Sequence, residues 1–433
     1  MKKVFSSLMA LGLATTLVAC GGDTAKDADK KAEDSKESTD KAETPADGEE
    51  KAADDKAELD SFDKQTSDDT LVVGAVQEFN GDFLQGWTNN SMDVKARRYM
   101  GIEGNNGYST VVQDEAGQWV NNMTIFKEEP KTVKNEDGSE TTTYKIKEDL
   151  KWSDGTPINA DNYLFGSLLH TYPSYQLVTG STSIGDDPLM GYEAYKNGDK
   201  DTFDGLKKID DYTFSVTVDA SFLPYYEEAA LKGVSPYPIH AVSDNLAVAP
   251  EGNKIVAKDG YQPTEEDKKK YVENIDNQIA KSKEDFDENN PAPKDDAKED
   301  EKAAYEEAKK AQEEKLADLE KRKTGEVDPT SMLIEEAMQR EYNEYRINPT
   351  VTAGPYKFDG FENNMVKLSI NENYAGNFKG EKPTIPHVIL QYVNKNIAID
   401  LLINGDIDIW EAEGEGPLTV SYTHLTLPTN REV

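Results

Sequence analysis

Residues 141–170, TTTYKIKEDLKWSDGTPINADNYLFGSLLH, leave the chain few choices. Thr143, Lys145 and Lys147 alternate with Tyr144 and Ile146, the period of two that a half-buried strand requires. The run from Ser153 to Pro157 is dense in turn formers: Gly155 accepts φ > 0 and Pro157 fixes its own φ. Asn159 is placed to cap a helix whose inner face is Leu164, Phe165, Leu168 and Leu169. Strand, turn and helix in so short a stretch predict a mixed α/β fold, with Trp152 anchoring the core beside the turn.

More segments follow the same logic. Residues 71–76 (LVVGAV) read as a buried strand, 92–100 as helical, and 135–139 (NEDGS) as the turn of a hairpin. Residues 209–218 form an acidic turn and then a clean strand with Tyr212, Phe214, Val216 and Val218 facing in. In VSPYPIHAV, 234–242, Pro236 and Pro238 impose an extended run, and His240 is a lone, structural imidazole. TAGPYKF, 352–358, leads to VKLSINENY, 366–374. VILQYV, 388–393, precedes a helix over 397–403, the turn NGDID with Gly405 at the helix end, and a strand reaching Trp410.

LKWSDGTPINAD, 150–161, resembles the signature block of the peptide-binding class (family 5) of bacterial ABC-transporter extracellular solute-binding proteins. The four blocks at 209–218, 234–242, 352–374 and 388–408 resemble that family in the right order. The resemblance covers about 71–410 apart from an insertion. It implies a periplasmic-binding-protein-like lobe, the first of a two-lobe clamshell, over 70–262 and 329–410. It also implies a binding protein rather than an enzyme. Its partners would be a peptide ligand and the permease and ATPase subunits of an importer, and it would work as a monomer.

The N-terminus carries a targeting pattern. Lys2 and Lys3 precede a short apolar run that ends in small residues, the layout of a secretory signal over 1–19. LVAC, 17–20, resembles a bacterial lipobox, which implies that Cys20 is lipidated and anchors the chain to the outer face of the membrane. Cys20 is the single cysteine, so no intrachain disulfide forms. Residues 20–69 hold almost no large apolar side chain and are expected to be a disordered acidic tether.

The resemblance implies that the segment after the first strand lines the ligand cleft, so Glu78, Phe79, Asn80, Gly81, Asp82 and Phe83 are the candidate ligand contacts. Residues 171–190 are rich in Tyr, Gly, Ser and Pro and read as a long surface loop, where Tyr172 and Tyr175 either stack on ligand or pack at its rim. Asp199, Asp201 and Asp204 fail the spacing of a calcium loop, because Phe203 occupies the fifth position. No cofactor and no metal site is expected: the chain has four histidines and no GxSxG, HExxH or CxxC. The net charge of −36 argues against nucleic acid, whose phosphates require Lys and Arg.

Residues 263–328 change composition abruptly. Tyr271, Ile275 and Ile279 lie at i, i+4 and i+8, NPAP breaks the helix, and a second helix follows, predicting a helical hairpin standing out from the body. It is either a docking arm or a solvated insertion in a tolerant loop. An amphipathic helix over 331–345 then presents Met332, Leu333, Ile334 and Met338 on one side. At the end, VSYTHLTLPT resembles the translation of a sequencing adapter, so 420–433 is expected to be artefactual and the second lobe largely missing. Two functions from different classes remain. One is the lipid-anchored binding component of an importer of oligopeptides or dipeptides. The other is a peptide-pheromone receptor or adhesin-type surface lipoprotein without a transport role.

Overall fold

The computed structural model describes residues 67–181, 187–294 and 298–411. Cys20, the tether up to residue 66 and the adapter-like end lie outside these residues. In chain order the strands are β1 (Thr70–Ala75), β2 (Val111–Gln113), β3 (Trp119–Asn121), β4 (Lys131–Lys134), β5 (Glu140–Lys145), β6 (Leu206–Asp210), β7 (Thr213–Val218), β8 (Leu246–Val248), β9 (Ile255–Ala257), β10 (Tyr356–Glu362), β11 (Met365–Ile370), β12 (His387–Tyr392) and β13 (Ile409–Glu411). The helices are α1 (Ser91–Tyr99), α2 (Ala160–His170), α3 (Tyr175–Thr179), α4 (Tyr192–Lys196), α5 (Ile239–Val242), α6 (Glu265–Asn289), α7 (Glu299–Thr324), α8 (Pro329–Arg340) and α9 (Ala398–Ile403).

The two larger sheets each organise part of the chain. The first runs in the order β10-β11-β12-β1-β13. β1 is parallel to both neighbours, pairing Thr70 with His387 on one side and Val73 with Ile409 on the other. β10, β11 and β12 are antiparallel to one another. The second sheet, β4-β5-β7-β6, is antiparallel throughout. Each sheet backs its own core. Val73, Phe83, Met92, Met100, Val366, Leu368 and Leu390 pack behind the first. Tyr144, Trp152, Phe165, Phe214 and Val216 belong to the larger core behind the second.

The strand–turn–helix of residues 141–170 forms as its pattern requires. Tyr144 and Ile146 are fully buried while Thr143 and Lys145 are half-buried. Asn159 and Asn162 close a reciprocal capping box at the start of α2, with N–H to side-chain distances of 3.3 and 3.0 Å. α2 departs from the one-faced helix expected. Tyr163 and Ser167 are buried along with the predicted face, because β6 and the β8–β9 hairpin pack around it.

The separated sequence blocks meet in space. Ser153 N–H donates to Thr352 O and Thr352 N–H donates to Ser153 Oγ, both at 2.9 Å. His240 Nε2 lies 2.8 Å from Asp154 Oδ2 and 3.2 Å from Thr156 Oγ1. Burial alone would raise the Asp154 carboxyl, but the Thr156 N–H and hydroxyl and His240 outweigh it and hold it below its ordinary value. Gly101, Gly107 and Gly354 touch backbone to backbone. A Cβ on Gly354 would sit 2.2 Å from the Met100 carbonyl carbon.

Three expectations need correction. The extended run after Val234 stops at Pro238, beyond which α5 makes one helical turn. The amphipathic helix over 331–345 is α8 followed by a π turn, Glu341–Tyr345. The hairpin of α6 and α7 does not stand free. It is antiparallel, with Asp276 beside Lys323, Ser282 beside Gln312 and Phe286 beside Tyr305. Tyr271, Ile275, Ile279 and Leu319 share a core with Met332 of α8. Arg322 is ion-paired with the buried Glu335, which also accepts from Gln278 Nε2 at 3.1 Å. An apolar stripe along a charged helix needs a surface to cover it, and α8 supplies one.

Candidate functional site

In an open α/β sheet, the carboxyl ends of the strands beside a topological switch point form a ready crevice. Here β1 lies in the interior of the sheet, parallel to β12 on one side and β13 on the other, and its carboxyl end opens onto the loop that follows. Beyond Ala75 the chain enters a loop that ends at the N-cap of α1, Asn90. The loop is built from side chains rather than from a backbone ladder. Phe79 N–H donates to Asn364 Oδ1 at 3.2 Å. Asn363 and Asn364 have φ of 53° and 56°, the left-handed pair that the tight β10–β11 turn requires. Asn90 caps α1 through Met92 N–H (2.9 Å) and reaches back to the Glu78 carbonyl (2.8 Å). Asn80 Nδ2 donates to Thr88 Oγ1 at 3.0 Å.

The six loop residues proposed from sequence separate into two groups. Phe79 and Phe83 turn inward: Phe83 is fully buried, with ring centroids 5.0 Å from Phe358 and 5.4 Å from Phe361. Gly81 is buried, with φ of 82° and its N–H on Asp93 Oδ1 at 3.1 Å. Asp82 is ion-paired with Arg346. Glu78 and Asn80 remain exposed, beside the exposed Gln77, Asn89 and Ser91. At the end of β13, Glu411 pairs with Lys95 of α1.

Sequence reasoning missed the aromatic part of this rim. The Arg346 guanidinium lies 4.6 Å from the Tyr342 ring centre and 5.7 Å from that of Trp87. Trp87 Nε1 donates to Thr179 O at 2.9 Å. The available signal was a tryptophan in a polar, glycine-flanked stretch, QGWTNN, where an apolar core has no claim on it.

Tyr172 and Tyr175 are placed elsewhere. The predicted long loop carries α3, and Tyr175 is buried within it, 5.1 Å ring to ring from His170. Tyr172 is half-buried, with its hydroxyl 3.4 Å from Ser331 Oγ. As placed, both rings pack against protein. Next to them, a cavity of about 220 Å³ lies between Trp152, Tyr237, Tyr345, His170 and Glu341. The buried Glu341 carboxylate accepts from Tyr237 at 2.7 Å and sits 3.1 Å from His170 Nε2. Burial first, and the Glu341 charge second, hold the Tyr237 and Tyr175 hydroxyls well above the ordinary range. These tyrosines are therefore neutral donors.

Among the described residues no cluster of three or more His, Cys, Asp or Glu side chains could hold a metal, and no helix is long and apolar enough to cross a membrane.

Comparison with known proteins gives three kinds of finding. The family model described as bacterial extracellular solute-binding proteins, family 5 Middle, matches residues 128–421. The periplasmic oligopeptide-binding protein OppA of Salmonella typhimurium is 32% identical over 107 residues, which are 23% of this chain and 18% of that protein. A lactococcal OppA, complexed with an endogenous peptide in the closed conformation, superposes with TM-score 0.46 at 14% identity, covering 83% of this chain and 48% of that one. The corresponding values for a periplasmic oligopeptide-binding protein from Borrelia burgdorferi are 0.45, 14%, 83% and 50%.

Proposed function

Because the chain belongs to the bacterial extracellular solute-binding proteins of family 5, we propose that it is the lipid-anchored binding component of an ABC importer, capturing oligopeptides or dipeptides outside the membrane and delivering them to the permease. The observation that carries this reading is the loop at the carboxyl end of β1. It presents exposed polar groups, Glu78 and Asn80 among them, at the carboxyl end of a strand that runs parallel to both its neighbours. Such a rim suits an extended peptide whose main chain supplies the hydrogen bonds, as an added strand does. Affinity then comes mostly from atoms common to all peptides, so side-chain preference is loose. Glu78 and Asn80 are the proposed direct contacts, with Trp87 an aromatic platform beside them.

Titration calorimetry with short mixed-sequence peptides tests the ligand class. Binding of peptides is expected. Heat with a nickel chelate or a sugar, and none with any peptide, would overturn it. The proposed anchor at Cys20 is tested separately: Cys20→Ser is expected to move the protein from the membrane fraction to the soluble one and to abolish palmitate labelling.

A further inference from the structure

Two charged side chains of α1, Asp93 and Arg97, are almost fully withdrawn from solvent beneath the proposed peptide rim. Asp93 is 0% exposed and Arg97 is 1% exposed. They stand one turn apart on the helix that follows the β1 loop, and both face that loop. Asp93 Oδ1 accepts from Gly81 N–H at 3.1 Å. Arg97 Nη1 donates to Leu84 O at 2.6 Å and Nη2 donates to Thr88 O at 3.0 Å. With Asn90 on the Glu78 carbonyl, the loop backbone is held at residues 78, 81, 84 and 88. These four holds come from α1 or its cap, while Phe79 N–H and Phe83 N–H bond to Asn364 Oδ1 and Arg346 O on other parts of the chain.

We propose that Asp93 and Arg97 are positioning residues, a paired clamp through which α1 fixes the backbone of the ligand loop. This inference rests on the reading of that loop as ligand-contacting. The chemistry suits the task. A guanidinium has a rigid planar fork that reaches two separated carbonyls from fixed directions, which the compact ammonium of a lysine on its flexible stem does not reproduce. The Asp93 carboxylate receives a loop N–H and feels the positive charge of Arg97 one turn away. Glu103 holds the remaining face of the guanidinium, with its carboxylate 2.9 Å from Arg97 Nε. Of the other charges around the loop, Asp82 pairs with Arg346 and Lys95 with Glu411, while Glu78 faces solvent.

The clamp also titrates. Burial pushes the Asp93 carboxyl up to about 6, against the opposing pull of the Gly81 and Asn80 N–H groups and of Arg97. Because burial makes the clamped carboxyl bind its proton more tightly than an exposed one would, protonation favours the clamped loop. As the pH rises through that value the buried carboxylate must carry its charge, and the loop loosens.

The test uses the full chain and three forms: wild type, Asp93→Asn and Arg97→Lys. Hydrogen exchange of amides 77–90 is read against those of β11 and β12 as an internal reference. Loss of one charged hydrogen bond predicts exchange about tenfold faster in the loop of Arg97→Lys, with the reference strands unchanged. Tryptophan fluorescence of the wild type should show a transition between pH 5 and 7 that Asp93→Asn lacks. Mixed-sequence peptides should bind Arg97→Lys about tenfold more weakly, by the same bond. Loop exchange equal to wild type in both variants would overturn the clamp. A loosened loop with undiminished peptide affinity would instead overturn the ligand reading of the loop.

Discussion

The contact between Gly101 and Gly354 makes a quantitative prediction. Gly354→Ala adds one methyl group, which would lie 2.2 Å from the Met100 carbonyl carbon, 2.3 Å from Gly101 N and 2.4 Å from Met100 O. All three are backbone atoms, and ordinary contact begins near 3.4 Å. The segment around residue 354 must therefore retreat by roughly 1 Å. Its tethers are short: Thr352 to Ser153 in both directions, and Asn371 Nδ2 to the Gly354 carbonyl, each at 2.9 Å. The same retreat pulls two of these buried bonds beyond reach, at about 1–2 kcal/mol each, and crowding adds about 1–3 kcal/mol. The expected loss is thus about 3–7 kcal/mol. Gly117→Ala is the control. Gly117 has φ of 76° and nothing within 4 Å of its notional Cβ, so only backbone strain of about 1–2 kcal/mol applies. Urea unfolding of both variants, followed by tryptophan fluorescence, measures the difference. If Gly354→Ala fell within 1 kcal/mol of Gly117→Ala, on the order of experimental error, the backbone contact would not be tight and the reasoning would fail.

Other outcomes follow from the same packing. Phe83→Ala should destabilise by about 3–5 kcal/mol, whereas Asn80→Ala should change stability by less than about 0.5 kcal/mol and register only in peptide affinity; urea midpoints and calorimetry separate the two. Arg322→Ala leaves Glu335 buried with Gln278 as its remaining hydrogen-bond donor. It should cost about 2–4 kcal/mol after allowance for Arg322's partial exposure, and limited proteolysis between α6 and α7 should accelerate. Asp93 binds its proton more tightly folded than unfolded. Stability should therefore fall as pH rises from about 4 to about 6, and Asp93→Asn should flatten that slope. Glu140 behaves oppositely. Its hydrogen bond to Lys232, opposed by burial and aided by Lys134, lowers its carboxyl below 4.5, so its contribution is present above that pH and lost in acid, as acid-unfolding midpoints of Glu140→Gln would show.

The sequence was most readable where a short-range pattern decides the outcome. Asn159 caps α2, Gly405 takes the left-handed conformation after α9, and Phe214, Val216 and Val218 are all fully buried. The order of the blocks carried the family, and the match over residues 128–421 shows it. What stayed hidden was long-range. Ser153 and Thr352 are far apart in the chain, and no local periodicity says that they exchange hydrogen bonds. Phe79 and Phe83 looked available because they sit in a stretch without strand or helix pattern. The β10–β11 hairpin that buries them lies nearly 300 residues downstream, through Phe358 and Phe361. Residues 92–100 read as helical, but nothing local says that Asp93 and Arg97 are buried, because the loop that covers them has no pattern of its own. Tyr175 reads as stacking on ligand or packing at its rim because its neighbours are Ser, Pro and Tyr, yet α8 and His170 enclose it.

The pairing of β1 also sets a folding order. β4 to β7 lie within one contiguous third of the sequence, and the hairpins β4–β5 and β6–β7 close over short turns. β1 emerges early, yet both of its partners, β12 and β13, are made more than 300 residues later. Until they arrive, an apolar strand with two open edges must wait, an arrangement that slows collapse and invites pairing with the wrong chain. The acidic character of the whole polypeptide, through repulsion between copies, then acts as protection during that wait.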